Sequence, residues 1–308
     1  MSQQDVQFSQ YMLNKLVYNP GFTGIDEVAT VNLVYRDQWM GFDGAPGSQY
    51  LSFDTPSEVI GGGAGISILN DRLGSQRTTS FGLNYAFRMI FKTPNKSYRS
   101  LSAGFGLTLN QMSIDGSVFR APDGDYSNGQ TNHNDPFVPN GVASDFNTDL
   151  NFGVYYLADD KFLGTAVTHL MGSPLQVGNV ITSTARNFNL MAGKEFKIHN
   201  YYSMLGSFLY KTTFKKSQLD LNLNMIYNNE VWIGVGMRGV SNVSVDGVIV
   251  NIGAHLTNAV SLGYSYDATA SGIGTLSGGT HEFLLKYRIL NFMFGRKPIP
   301  VEYCPRFM

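Results

Sequence analysis

Leu219-Asp220-Leu221-Asn222-Leu223-Asn224-Met225 sets an apolar side chain at every odd position and an acid or amide at every even one. Successive residues of an extended chain point to opposite faces, so this stretch makes a strand with one apolar and one polar face. A soluble sandwich would bury the apolar face against a second sheet. An outer-membrane barrel turns that face to lipid and keeps the polar one in its lumen. The same alternation recurs from about residue 28 to residue 290. Its clearest apolar sets are Phe81, Leu83, Tyr85 and Phe87; Leu101, Ala103, Phe105, Leu107 and Leu109; Leu150, Phe152, Val154 and Tyr156; Val248, Val250, Ile252 and Ala254; and Phe283, Leu285 and Tyr287.

Composition favours the barrel. Charged residues are 15% of the chain against roughly 25% in ordinary soluble domains. The 17 Tyr, 21 Phe and 34 Gly suit a lipid-facing wall with aromatic girdles. No stretch approaches the length of a membrane-spanning helix, and a mean hydropathy of -0.10 is too polar for a helical membrane protein. The 308 residues contain no Pro/Ser-rich linker or charge run that would divide them into domains. A net charge of -1 gives no electrostatic footprint for nucleic acid. The single Cys304 cannot form an internal disulfide. The opening Met-Ser-Gln-Gln-Asp lacks a basic and then apolar leader; with a barrel, the expectation is that an export signal was cleaved or lies outside this numbering.

Strands are expected near 28–36, 47–55, 61–70, 78–90, 98–112, 147–157, 161–169, 184–195, 202–212, 217–227, 231–239, 245–255, 258–267 and 279–290, about fourteen in all. The segments 161–169 and 202–212 alternate poorly. Tight links at 158–160, 228–230 and around Thr257 are expected to alternate with longer ones at 37–46, 71–77, 113–146, 170–183 and 268–278, as the turns and loops of a bacterial barrel do. The fold class is therefore all-β: a transmembrane antiparallel up-and-down barrel with both termini periplasmic. Its parts are an N-terminal periplasmic or lumen-filling segment at 1–27, the barrel at 28–290, and a basic periplasmic tail at 291–308 with Arg296, Lys297 and Arg306. About fourteen strands enclose more than the packed lumen of eight strands and less than the channel of 16 to 18.

Asp5-Val6-Gln7-Phe8-Ser9-Gln10-Tyr11 followed by Asn19-Pro20-Gly21-Phe22-Thr23-Gly24 resembles the opening signature of the PorP/SprF family of the type IX secretion system. The resemblance continues through Tyr35-Arg36-Asp37-Gln38-Trp39, Gly44-Ala45-Pro46, Asn70-Asp71-Arg72-Leu73-Gly74 and Thr280-His281-Glu282-Phe283-Leu284-Leu285-Lys286-Tyr287-Arg288. Val6 stands where the family pattern has proline, and Gly21 where it has alanine. The resemblance implies a non-enzymatic outer-membrane barrel that serves secretion, surface display and gliding in Bacteroidota. The implied partners are a secreted, adhesin-like surface protein held through its type IX C-terminal sorting domain, periplasmic and outer-membrane secretion components, and outer-membrane lipid. The motif residues carried over as partner-binding candidates are Asp5, Phe8, Gln10, Tyr11, Asn19, Pro20, Arg36, Gln38 and Trp39. Phe8, Tyr11, Tyr18 and Phe22 either pin the first segment for a periplasmic partner or plug the lumen. Near the outer rim Arg36 could hold a carboxylate and Trp39 sit at the membrane interface, but structural bracing of the first outer loop is the preferred reading for the pair.

Other chemistry is thinly supported. Asp123 and Asp125, with Ser127, resemble part of a calcium loop, yet the glycine at position six and the closing Glu are absent; a solvated Asx-rich turn is the competing reading. His133, His169, His199, His255 and His281 have no metal-ligand spacing. His255 with a neighbouring serine such as Ser261 could in principle form the Ser/His pair of a barrel esterase, but no nucleophile motif supports it. Gly61-Gly62-Gly63-Ala64-Gly65 lacks the Lys and helix of a phosphate loop and reads as a tight turn with strand curvature. No cofactor is expected. A passive channel for small solutes is the alternative to docking, and a soluble β-sandwich is a third reading; a channel is expected to carry a ring of like charge in its lumen.

Overall fold

The computed structural model describes residues 6–26, 28–92, 98–127, 131–240, 245–270 and 278–290. Asp5 and the tail at 291–308, Cys304 included, lie outside them. The strands are β1 (Ala29–Asp37), β2 (Gly47–Ser57), β3 (Gly62–Leu73), β4 (Gln76–Lys92), β5 (Tyr98–Asp115), β6 (Val142–Ala158), β7 (Lys161–Thr168), β8 (Pro174–Val177), β9 (Val180–Ser183), β10 (Asn187–His199), β11 (Tyr202–Thr212), β12 (Ser217–Tyr227), β13 (Val231–Arg238), β14 (Gly247–His255), β15 (Val260–Thr269) and β16 (Thr280–Ile289). All but β8 and β9 close into one antiparallel barrel of fourteen strands, sealed where β1 meets β16 with Arg36 opposite Glu282. β8 and β9 form a separate hairpin.

The alternation fixes which face is which. In β12, Asp220, Asn222 and Asn224 are buried while Leu221, Leu223 and Met225 are exposed. The same inversion holds in β1, where Thr30, Asn32, Val34 and Arg36 point inward and Leu33 and Tyr35 outward. A protein in water does not leave so many large apolar side chains on its outer wall, whereas lipid solvates them. Closure also gives every strand a partner on both sides, the condition for a sheet to cross hydrocarbon.

The departures from expectation lie at the long-loop end. The link expected at 71–77 shrinks to Gly74 and Ser75, because β3 and β4 stay paired as far as Leu73 and Gln76. The link 213–216 is also short, so long and short connections do not alternate strictly. The loop expected over 113–146 is cut at both ends, since β5 runs on to Asp115 and β6 starts at Val142. The expected plain link at 170–183 contains the β8–β9 hairpin.

The two segments that alternate poorly do so for one reason. Phe162 of β7 and Leu205 and Leu209 of β11 point inward, where a polar residue belongs in an open lumen, and they are buried. They join one apolar cluster with Phe8, Met12, Leu13, Leu16, Tyr18 and Phe22 from the N-terminal segment. That segment runs through the lumen and makes the barrel's core there. Each such side chain taken from water contributes about 1.5–3 kcal/mol before the entropy of ordering the segment is subtracted.

Candidate functional site

The segment's conformation follows from its sequence. Asn19 caps a single 3-10 turn, Pro20–Phe22, with its side-chain oxygen accepting from Gly21 N at 2.8 Å, and proline occupies the first helical position, where no donor is lost. Gly24 then takes φ +70, a left-handed conformation that favours glycine, and its Cα lies against Gly63 of β3. The turn is seated on glycines of the wall. A Cβ on Gly104 of β5 would strike the Pro20 carbonyl, one on Gly153 of β6 the Asn19 side chain, and one on Gly63 the Thr23 carbonyl. The glycine run at 61–65 thus serves close approach as well as the turn before β3.

Hydrogen bonds fix the seat around the circumference. Asn19 Nδ2 donates to the Val154 and Thr165 carbonyls at 3.0 and 3.3 Å. Asn189 Nδ2 donates to Tyr18 O at 3.2 Å, Ser102 Oγ to Gly21 O, and Arg88 Nη1 to Gly24 O at 3.0 Å. Gly24 N donates to Asp54 Oδ2 at 2.8 Å, and Asp26 pairs with Lys286. Lys15 lies 4.1 Å from the Phe162 ring centroid, and burial pushes its ammonium down to about 7 against the pull of Asp26. Asn19→Ala is expected to lose the cap and both wall bonds, costing the docked segment about 1–3 kcal/mol; faster amide hydrogen exchange at Gly21 would register it.

The other end of the segment meets a buried charge cluster. Glu282 of β16 accepts from Ser9 N at 2.6 Å and from Gln10 N at 2.9 Å. Arg36 reaches Glu282 at 3.1 Å and Asp267 at 3.4 Å; Arg238 reaches Asp267 at 2.7 Å. Both arginines donate to Ser9 Oγ, at 2.7 and 2.8 Å. Two cations and two carboxylates, all buried, hold one serine between them. This is a balanced cluster rather than a ring of one sign.

The motif residues with described positions fall into two groups. Phe8, Gln10, Tyr11, Asn19, Pro20 and Arg36 come together inside the barrel: Tyr11 bonds Ser207 at 3.0 Å, Phe8 packs on Tyr50, and Gln10 sits against Glu282. Gln38 and Trp39 lie at the rim. Gln38 N donates to Pro46 O at 2.9 Å, and Trp39, at φ +55, donates its ring N–H to Thr269 at 3.2 Å, tying the first loop to β15. Arg238, Asp267 and Asp54 carry as much of the site but belong to none of the quoted motifs. Charges at inward positions of alternating strands were the signal for them.

Above the segment, toward the long-loop end, lies a cavity of about 360 Å³ with Leu16, Val17 and Tyr18 among its lining residues, together with Asn84, Asn110 and Asn151 of the wall. Asp123 and Asp125 belong to the loop before β6, where Asp125 accepts from Ser127 N and Oγ at 2.9 and 2.7 Å in an Asx turn, and Asp123 O accepts from Asn134. No group of three or more metal-ligating residues occurs among the described residues. His255 and Ser261 do meet, at 2.6 Å. The charges acting on that histidine are Lys286 and Arg288, opposite in sign to the acid that orients a catalytic imidazole.

Comparison with known proteins adds a family and a set of distant barrels. The family model described as type IX secretion system membrane protein PorP/SprF matches residues 1–287. No curated protein matches the chain. Among solved structures, a Pseudomonas aeruginosa FadL homologue is similar at 11% identity and a TM-score of 0.46, covering 93% of this chain and 95% of that one. The CymD monoaromatic hydrocarbon channel is similar at 10% identity and 0.44, covering 96% of each chain. Acinetobacter baumannii outer membrane protein Omp33 is similar at 7% identity and 0.43, covering 85% of this chain and 99% of that one. Similarity at that level says nothing about what this chain carries or binds.

Proposed function

The chain belongs to the PorP/SprF family of type IX secretion system membrane proteins, an outer-membrane component of that system, and on this premise we propose that it is a docking barrel rather than a conduit. It holds a secreted, adhesin-like surface protein through that protein's C-terminal sorting domain and links to periplasmic secretion and motility components. The long-loop end faces outward, and both tails are periplasmic. No catalytic step is required of it.

One observation carries this reading: the lumen is occupied by the chain's own N-terminal segment, bonded to walls on opposite sides. A conduit needs a continuous wet path and a selectivity element. Here the charged centre is neutralised by its own members and bound to Ser9, unlike the like-charge ring of a selective pore. A plugged barrel offers its partners rigid surfaces at both rims.

Purification of the tagged protein from its own outer membrane in mild detergent tests the proposal. Recovery of a secreted surface protein whose C-terminal domain cross-links to the barrel is the expected result. A lone barrel that conducts ions in planar bilayers would assign it to solute passage instead.

A further inference from the structure

β6 pairs with β5 along its whole length, from Val142 opposite Asp115 to Ala158 opposite Arg99. β7 meets β6 only from Phe152 onward, at Val167. The far part of β6 therefore has one edge with no strand beside it. Leu170 N takes the Leu150 carbonyl at 2.9 Å, which shows that the even-numbered backbone groups face away from β5. Asp149 engages Leu150 N, Asp145 engages Phe146 N, and Ser173 Oγ donates to Thr148 O. The N–H and C=O of Ser144 and the carbonyl of Phe146 face outward with no backbone partner among the described residues.

This edge stands in water. The continuous apolar band across neighbouring strands ends at Phe81 on β4 and Leu109 on β5, opposite Thr148 on β6; the next outward rows are Thr79, Gln111 and Phe146, then Arg77, Ser113 and Ser144, so Phe146 stands alone among polar neighbours. An unpaired edge inside hydrocarbon is excluded. The β8–β9 hairpin does not cover it either, because Gln176 N bonds Asp145 and Asn147 bonds Ser173 O on the lumen side of β6. Natural edges are protected by outward charges, proline or bulges. Here the outward residues are Val142, Ser144, Phe146 and Thr148, uncharged, with Val142 73% and Phe146 56% exposed.

We propose that the 142–148 edge of β6 accepts an added β-strand from the secreted protein that the barrel holds, an inference that rests on the docking reading. Outward donors and acceptors spaced two residues apart are matched by another extended backbone and by no lipid chain. Phe146 and Val142, on one face of the strand, add apolar contact to alternate residues of the incoming segment. The edge lies at the long-loop end, the side from which an exported partner is met.

The full chain in its own outer membrane provides the test. Ser144→Pro removes an outward N–H and leaves the ladder to β5 complete, since prolines are tolerated on the open side of an edge strand. Recovery of the secreted protein is expected to fall roughly tenfold or more, the scale set by losing one or two main-chain hydrogen bonds. Ser144→Ala keeps the donor and is expected to retain recovery. Heat-modifiable gel migration shows that each barrel is folded. Undiminished recovery with folded Ser144→Pro overturns the inference while the docking reading stands. Loss of a self-associated form instead, with recovery unchanged, assigns the edge to a second copy and also overturns it. A wild-type barrel that recovers no secreted protein defeats the docking reading and the inference together.

Discussion

A barrel lacking residues 1–25 is expected to pass ions in planar bilayers as discrete single-channel steps, where the full chain stays at baseline. The lumen wall is polar toward the long-loop end, with Asn110, Asn147 and Asp149 pointing inward, so once emptied it wets. Fourteen strands enclose more than the eight that side chains alone can fill. Deletion also strips the packing partners of Phe162, Leu205 and Leu209 and so weakens the barrel itself. Gly104→Leu is the companion that keeps every residue. Its Cβ collides with the Pro20 carbonyl, and four added carbons in a filled seat cost about 1–3 kcal/mol or more. Conductance is expected in both variants, larger and steadier in the truncation. A truncated, folded barrel that remained at baseline would show that the wall or the loops close the lumen without the segment.

Glu282→Ala is the point substitution with the largest expected effect. Its carboxylate accepts from two segment amides and from Arg36, and all of these groups are buried. Removing it leaves Arg36 with one carboxylate partner, Asp267, which it must share with Arg238, and takes away one of the buried charges that offset the two arginines. Breaking a buried pair from one side costs about 3–5 kcal/mol, chiefly through the charge left behind. Hydrogen exchange at Ser9 and Gln10 is expected to accelerate by two orders of magnitude or more. Glu282→Gln, which retains an acceptor, should fall between it and wild type. The double variant Glu282→Leu with Arg36→Met restores charge balance and is expected to recover much of the loss. Equal exchange in the single and double variants would locate the anchor elsewhere, in the Asn19 seat.

Most of the wall was legible because its period is simple. Lipid outside and polar groups inside force a two-residue alternation onto every crossing, and β12, β13 and β14 fall within a residue or two of where that alternation places them. Less legible was anything set by chain folding back into the lumen. Phe162, Leu205 and Leu209 read as spoiled alternation when they were the imprint of the segment packed on them. The same blindness hid the site's charges. Arg36 lay inside a recognisable motif, but its counter-ions come from β15 and β16, some 230 residues onward, and only barrel closure sets them side by side. Strand overruns at β5 and β6 were missed because Ser113, Ser144 and Asp145 suit a loop as well as a strand above the membrane.

The charge cluster straddles the seam between β1 and β16, with Arg36 contributed by the first strand and Glu282 by the last. Ser9 therefore gains its full binding site, with Arg36 added to Glu282 and Arg238, only once the two ends of the wall have joined. During biogenesis the N-terminal segment, made first, is settled last, and its ordering reports that the cylinder is complete. A half-assembled wall leaves Phe8, Met12 and Leu13 without cover, apolar bait for a chaperone or a protease. The contacts that close the finished barrel thereby double as an inspection of it.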